Sequence, residues 1–137
     1  MKVLFLDIDG VLVTSDCEWD SFRQCHKFNT DCVTQLKRVI QETGCQIVVD
    51  STWRLRGLKW IQQFFKHVVG IEILDITKEL KGRGEEILEW VSRHDVTKFI
   101  AVDDDVHDMG KVPFVNTTWT SGLDQRSADE IIQFFKE

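Results

Sequence analysis

Apolar and polar positions divide the chain into two kinds of segment. Some are short, continuous apolar runs, which have the length and residue types of strands buried inside a sheet. Others are longer and place an apolar residue at every third or fourth position, which is the spacing of a helix that packs on one face. The predicted strands cover residues 2–6, 46–49, 71–74, 98–102 and 112–115.

The helical pattern falls between most of these strands. It covers residues 30–43, 57–67 and 84–93, and a last helix is predicted to begin with Ser127 and Glu130, a capping-box pair. Strands that alternate with helices predict an α/β protein in which a parallel sheet carries helices on both faces. In such sheets ligands bind outside the carboxyl ends of the strands, so we expect the chemistry there.

The segment 14–28 interrupts this alternation after the first strand. It is largely polar, includes the aromatic residues Trp19 and Phe22, and has no clear period. We expect a loop or small hairpin that overhangs the site, because long connections of this kind often carry function.

Length and charge restrict the function classes. The 137 residues correspond to one domain, 1–137, that is long enough to bury a hydrophobic core. The net charge of −6 argues against a general nucleic-acid-binding surface, which is usually basic. The N-terminus lacks a secretory signal and no apolar run approaches a membrane span, so we expect a cytoplasmic protein with no membrane partner.

The four cysteines form no C-x-x-C pair. A zinc site of Cys17, Cys25, His26 and Cys32 is conceivable, but its spacing matches no common zinc pattern. With Cys45 included, free thiols in a reducing compartment are the favoured interpretation.

Side chains that can do chemistry follow the predicted strands. Two acids come after the first strand, hydroxyls after the second, and a run of acids after the fourth, while two cations precede the third helix. The set consists of Asp7, Asp9, Ser51, Thr52, Lys81, Arg83, Asp103, Asp104, Asp105 and Asp108. These side chains converge if the first, second and fourth strands lie near each other.

Carboxylates crowded in this way need a positive partner, because they repel each other. Oxygen ligands of this type suit Mg²⁺, and a substrate phosphoryl group is its natural partner. The hydroxyls, the cations and the helix N-terminus would hold the remaining phosphate oxygens. Asp7 can then attack phosphorus, while Asp9 protonates the leaving oxygen and later deprotonates the water that cleaves the aspartyl-phosphate.

The stretch FLDIDGV, residues 5–11, resembles the D-x-D-G-x signature of the haloacid dehalogenase (HAD) superfamily, whose other motifs follow in order. Ser51 in IVVDST matches the Ser/Thr that closes the second strand, with Thr52 as a close rival. Lys81 or Arg83 in KGRGEE matches the basic residue that lies before a helix.

The stretch IAVDDDVHD matches the acids that end the fourth strand in this superfamily. Asp104 and Asp108 fit its D-x-x-x-D form, and Asp103 and Asp104 fit its adjacent-pair form. The resemblance implies a Rossmann-like, three-layer fold, Mg²⁺ and an aspartyl-phosphate intermediate, and the acid at position 9 resembles the phosphatases of the superfamily. The implied catalytic residues are Asp7 and Asp9, the implied phosphate-binding residues are Gly10, Ser51, Thr52, Lys81 and Arg83, and the implied metal ligands are Asp7, Asp9, Asp103 and Asp104, with Asp104 the first choice among the late acids.

Four shorter stretches narrow the resemblance. Together they are similar to stretches of the small HAD domains of RNA-repair proteins; they read DSTWR, RGEEILEWV, VDDDVHD and TSGLD. That likeness implies removal of phosphate from a nucleotide or a nucleic-acid end, although a small phosphoester is also possible. No large insertion follows the first or second strand, so no large cap domain is expected.

Several roles stay open at this point. Trp53 and Arg54 could contact substrate by stacking and by pairing with phosphate, or they could pack against each other, and Asp108 is a further possible contact. The main alternatives to a phosphatase are a phospho-receiver or metal-binding interaction module without turnover, and a phosphotransferase on the same scaffold.

Overall fold

Five of the strands form one parallel sheet in the computed structural model, which describes residues 1–137. The chain forms, in order, β1 (Lys2–Leu6), β2 (Trp19–Asp20), β3 (Cys25–His26), α1 (Thr30–Thr43), β4 (Gln46–Val49), a 3₁₀ helix (Thr52–Arg56), α2 (Leu58–Val68), β5 (Asp75–Ile76), α3 (Arg83–Ser92), β6 (Lys98–Asp103), β7 (Phe114–Asn116) and α4 (Gln125–Lys136). The strand order is β5-β4-β1-β6-β7, and each neighbouring pair is parallel.

Helices cover both faces of this sheet. Leu4 and Leu6 of β1 belong to the larger core cluster, which includes residues of α1, α2 and α4, whereas Val3 and Phe5 pack in a second cluster with Ile87 of α3. Side chains of neighbouring strand positions point to opposite faces, so the continuous apolar run of β1 supplies both cores. The predicted α/β fold, a three-layer Rossmann-like parallel sheet with helices on both faces and without a large cap, is confirmed.

The central position of β1 brings the predicted strand ends together. β1 pairs with β4 on one side and with β6 on the other. The ladders continue past the strand ends, where Asp50 N donates to Leu6 O at 2.9 Å and Asp7 N donates to Val102 O at 3.1 Å. The residues that follow β1, β4 and β6 therefore share one edge of the sheet, as the sequence analysis expects.

Two predicted strands lie at the wrong residues. The prediction of a strand at 71–74 is wrong, because β5 is Asp75–Ile76, which pairs with Val48 and Val49 of β4. Residues 71–74 lead into it in an extended path in which Ile71 and Ile73 are buried. The last strand is Phe114–Asn116 instead of 112–115.

The last helix begins earlier than predicted. Asp124 is its N-cap, and its carboxylate accepts hydrogen bonds from the backbone and the hydroxyl of Ser127, at 2.9 and 2.8 Å. The Ser127 hydroxyl in turn accepts from Asp124 N, so these two residues form the capping box. Ser127 thus occupies the third helical position, and the prediction that it starts the helix is wrong.

The segment 14–28 contains a small hairpin. Trp19 of β2 lies opposite His26 of β3, and Asp20 lies opposite Cys25. Arg56, at the end of the 3₁₀ helix, donates to two successive carbonyls at the hairpin tip, those of Arg23 and Gln24. The hairpin is therefore fixed against the segment that follows β4.

All four cysteines are free, and Cys25, Cys32 and Cys45 are buried. The one group of acidic, histidine or cysteine side chains with metal-binding geometry consists of aspartates, so the conceivable Cys/His zinc site is not formed. Burial raises the pKa of the Cys32 thiol to about 11. None of the helices has the length and hydropathy required to span a membrane.

Candidate active site

Three aspartates meet where β1 and β6 end. The structure places carboxylate oxygens of Asp7, Asp103 and Asp104 within 4.8 Å of one another. Asp7 and Asp103 are buried, at 4% and 2% exposure, because each directly follows or ends a strand at the centre of the sheet. Three anionic oxygen ligands in this arrangement form a donor set that suits a hard divalent cation such as Mg²⁺.

Burial is the largest cause of the raised pKa values of Asp7 and Asp103 in this cluster. It raises the pKa of Asp7 far above its ordinary value, and the neighbouring Asp103 carboxylate raises it further, while Arg83 opposes the shift. Burial likewise raises the pKa of Asp103. The Arg83 guanidinium alone therefore does not balance the negative charge of the buried carboxylates. An additional positive charge would stabilise their ionised form.

Gly10 makes room for the third aspartate. A Cβ atom at this position would lie 2.2 Å from Asp104 Cγ, and Gly10 has φ +83°, a conformation that glycine adopts without strain. Its N–H donates to Val13 O at 2.8 Å, so this group is not free for a ligand. Gly10 therefore positions Asp104, and its expected role in phosphate binding stays a prediction.

Arg83 is the cation of the site. Its Nη2 lies 3.5 Å from Asp7 Oδ1, its Nε lies 3.3 Å from Asp103 Oδ2, and its Nη1 donates to Asp50 O at 2.8 Å. Lys81, the other predicted candidate, is exposed and forms no ion pair. Of these two candidates, the structure thus brings Arg83, the first residue of α3, to the clustered aspartates.

Asp9 lies apart from the three clustered aspartates. Both of its carboxylate oxygens are 3.3 Å from Nε1 of Trp53, which donates to them. The group with metal-binding geometry does not include Asp9, so the structure does not place its side chain as a metal ligand. Its position beside the cluster, on the side of the 3₁₀ helix, leaves its expected role in proton transfer as a prediction.

The two hydroxyl residues after β4 have different environments. Ser51 is fully buried, and its Oγ accepts a hydrogen bond from Trp53 N at 3.2 Å, which caps the 3₁₀ helix. Thr52 is exposed and lines a small cavity beside Asp9. No hydrogen-bond acceptor faces the Ser51 hydroxyl proton in the structure, and its expected bond to a phosphate oxygen stays a prediction.

Arg54 is held in a buried network, and its contact with substrate stays a prediction. Its side chain is only 8% exposed, and its guanidinium pairs with Asp50 Oδ1 at 3.0 Å and with Glu86 Oε2 at 2.6 Å. It also donates to Thr77 Oγ1 at 3.1 Å. Trp53 packs in the core at 8% exposure, and its indole N–H is directed to Asp9.

The buried network around Arg54 links both sides of the site. Asp50 follows β4 and Glu86 lies on α3, one turn after Arg83, so Arg54 ties these two elements together. Burial raises the pKa of Asp50. The sequence analysis does not identify Glu86 as part of the site; the signal available is its spacing of three residues from Arg83.

The remaining acids after β6 have structural contacts. Asp108 accepts a hydrogen bond from Arg83 N at 3.4 Å, and its backbone carbonyl accepts from Gly84 N at 3.2 Å, so it caps the start of α3. Its side chain is exposed, and its possible contact with substrate stays a prediction. Asp105 is exposed, and His107 Nδ1 lies 3.5 Å from its carboxylate.

Comparisons with known proteins agree with this geometry. A family model described as the HAD domain in Swiss Army Knife RNA repair proteins matches residues 3–128. No curated protein matches the sequence. The family model spans most of the chain. The family suggests hydrolase or phosphatase-type chemistry, and HAD domains generally use Mg²⁺.

Two solved structures share the fold. A hypothetical protein from Xanthomonas campestris is 12% identical, with a TM-score of 0.57 over 98% of this chain and 82% of that chain. A protein from Streptomyces avermitilis assigned to the HAD family of hydrolases is 14% identical, with a TM-score of 0.51 over 97% of this chain and 88% of that chain. The family match and the shared architecture together show that this chain belongs to the HAD domains of the Swiss Army Knife RNA repair type.

Proposed function

We propose that the protein is a Mg²⁺-dependent phosphohydrolase that removes phosphate from a phosphomonoester through an aspartyl-phosphate on Asp7. The observation that carries this proposal is the position of the Asp7 carboxylate. It lies between an arginine that can hold phosphate oxygens and two further carboxylates that can hold a cation. Asp9 follows two residues later, with its carboxylate on the side of the 3₁₀ helix.

The cation would be held by the three clustered aspartates, Asp7, Asp103 and Asp104, because the structure brings their carboxylate oxygens together. A bound Mg²⁺ would offset the charges of these carboxylates and of the phosphate, so that an anionic nucleophile can approach an anionic substrate. Arg83 contributes a further positive charge at the same place, and its contacts to Asp7 and Asp103 fix its direction.

The first step forms a bond between a carboxylate oxygen of Asp7 and phosphorus, and breaks the bond between phosphorus and the leaving alcohol oxygen. Protonated Asp9 gives its proton to that oxygen. In the second step Asp9 takes a proton from water, whose oxygen attacks phosphorus and releases inorganic phosphate and free Asp7. The Ser51 hydroxyl and the Arg83 guanidinium hold phosphate oxygens in both steps.

A nucleotide or a phosphorylated nucleic-acid end is the substrate class that we propose. The family to which the chain belongs occurs in RNA repair proteins, which supports this class. The net charge of −6 does not oppose it, since recognition of one phosphorylated end requires only local contacts.

The proposal is tested by measuring phosphate release from nucleotides, 3′- and 5′-phosphorylated oligonucleotides and small phosphoesters, with Mg²⁺ and with EDTA. We expect repeated turnover that requires Mg²⁺. Release of no more than one phosphoryl group per protein would instead indicate a receiver. Transfer of the phosphoryl group to an added nucleoside or sugar in preference to water would indicate a phosphotransferase.

Replacing Asp104 by asparagine is expected to weaken Mg²⁺ binding by roughly 100-fold, since even residues that only support metal ligands contribute about 10–100-fold. At a Mg²⁺ concentration about 100 times the wild-type Kd, the ion stabilises the wild type by about 2.7 kcal/mol, whereas a variant with a 100-fold higher Kd gains only about 0.4 kcal/mol. Thermal unfolding with and without Mg²⁺ measures both values. Asp105→Asn, which changes an exposed acid next in the chain, is the matched control and keeps the full gain. An equal gain in Asp104→Asn and wild type would contradict the assigned ligand set.

A further inference from the structure

A small cavity lies beside Asp9, between the β2–β3 hairpin and the 3₁₀ helix. Its volume is about 250 Å³, and its walls include Asp9, Trp19, His26, Thr52, Trp53 and Arg56. Pockets that take drug-sized ligands are typically about 300–1,000 Å³, so this cavity has room for one ring system rather than a larger molecule. None of the steps described above uses it.

The hairpin wall of the cavity is held in place. The Arg56 guanidinium donates to the carbonyls of Arg23 and Gln24, and it lies 4.5 Å from the ring centre of Trp60. Gln24 is the one non-glycine residue with a positive φ, 57°, so the chain accepts an unfavourable conformation at the tip that Arg56 binds. The cavity is therefore a preformed part of the fold.

Trp19 is the exposed aromatic residue of this cavity. It is 54% exposed, although its ring also makes an edge contact with His26 at a centroid distance of 5.1 Å. A ligand that covered this ring would gain free energy, because removing apolar surface from water is favourable. The nearest chemical group of the proposed reaction is the Asp9 carboxylate, which lines the same cavity.

Three polar side chains of the cavity are bonded within the protein, whereas Nδ1 of His26 is buried and has no hydrogen-bond partner. Trp53 Nε1 donates to Asp9, the Gln24 amide donates to Ser21 O, and Arg56 donates to the hairpin. A polyol would need free donors and acceptors, whereas a planar ring needs only aromatic faces against which it can stack. The exposed ring of Trp19 therefore favours an aromatic ring over a sugar or another polyol as the occupant of the cavity.

From these observations we propose that the cavity is the subsite for the leaving group, and that it binds the base of a nucleoside by stacking on Trp19. This inference rests on the proposed function, because it is the protonation of the leaving oxygen by Asp9 that places the leaving alcohol beside this cavity. It assigns Trp19 as the specificity-determining residue and Arg56 as the residue that positions the hairpin.

The test compares pairs of substrates that differ only in the base. One pair is adenosine 5′-monophosphate and ribose 5-phosphate, and the other is a 3′-phosphorylated oligonucleotide with and without its terminal base. For at least one pair we expect wild-type kcat/KM to be higher with the base, and we expect Trp19→Ala to reduce that preference about tenfold, which corresponds to about 1.4 kcal/mol. Trp19→Phe, which keeps an aromatic face, should restore most of the preference.

Phe22→Ala is the matched control, because Phe22 lies on the same hairpin, is 89% exposed and does not line the cavity. We expect this variant to keep the wild-type preference for the base. Failure of the wild type to hydrolyse any of these substrates, with or without the base, would count against the proposed function. Hydrolysis with no preference for the base, or a preference that survives in Trp19→Ala, would overturn the subsite.

Discussion

Replacement of Asp7 by asparagine is expected to reduce phosphomonoester hydrolysis by on the order of 10⁴-fold or more, because an amide cannot replace the carboxylate that forms the bond to phosphorus. The fold should be retained. Asparagine has nearly the same shape, and it removes one charge from a pair of buried carboxylates that repel each other. Phosphate release measures the activity, and circular dichroism with thermal unfolding measures the fold.

Asp105→Asn serves as the control for this experiment as well, since it removes an acid at the same edge of the sheet whose side chain is not part of the cluster. It should retain wild-type turnover. If Asp7→Asn were folded and fully active, the covalent mechanism would have to be abandoned. If it were inactive and unfolded, Asp7→Ser and Asp7→Glu would separate the loss of structure from the loss of the nucleophile.

The largest effect on stability is expected for Arg54→Ala, at about 3–5 kcal/mol, because it leaves buried carboxylates without their partner. Asp50 and Glu86 are 2% and 3% exposed, and both pair with the Arg54 guanidinium. Loss of that cation would also loosen the connection between the 3₁₀ helix and α3. Equilibrium unfolding in urea gives the change in the free energy of unfolding.

An exposed arginine provides the comparison. Arg93 pairs with Glu89 one turn earlier on α3, but both side chains are accessible to water, so Arg93→Ala should change stability little. Both variants replace an arginine by alanine, but Arg54 belongs to a buried ion pair and Arg93 to an exposed one. A destabilisation by Arg54→Ala no larger than that by Arg93→Ala would show that the buried network does not contribute to stability.

The position of the candidate site could be predicted because it follows from topology. A parallel sheet brings the carboxyl ends of adjacent strands to one edge, so Asp7 after β1 and Asp103 at the end of β6 had to be neighbours once β1 and β6 paired. The helix at 30–43 could also be predicted exactly, because its apolar spacing is regular and Gly44 follows it with φ 69°.

The fates of individual polar side chains could not be predicted in the same way. Lys81 and Arg83 are both basic residues near the predicted start of α3, so the sequence does not distinguish them. The three-dimensional placement of α3 brings Arg83 to the cluster. Arg54 finds Glu86 across 32 positions of the chain, a pairing that no local pattern encodes. The capping box of α4 was missed for a different reason: Asp124 and Ser127 are both good N-cap residues, and the local sequence does not choose between them.

The distribution of the thiols has a practical consequence. Cys25, Cys32 and Cys45 are buried, whereas Cys17 is partly accessible and belongs to the segment that also forms the hairpin. Alkylating reagents should therefore modify Cys17 first, because thiol reactivity depends on access as well as on ionisation. A fluorophore attached there would report on ligand occupancy next to the hairpin without any engineered cysteine.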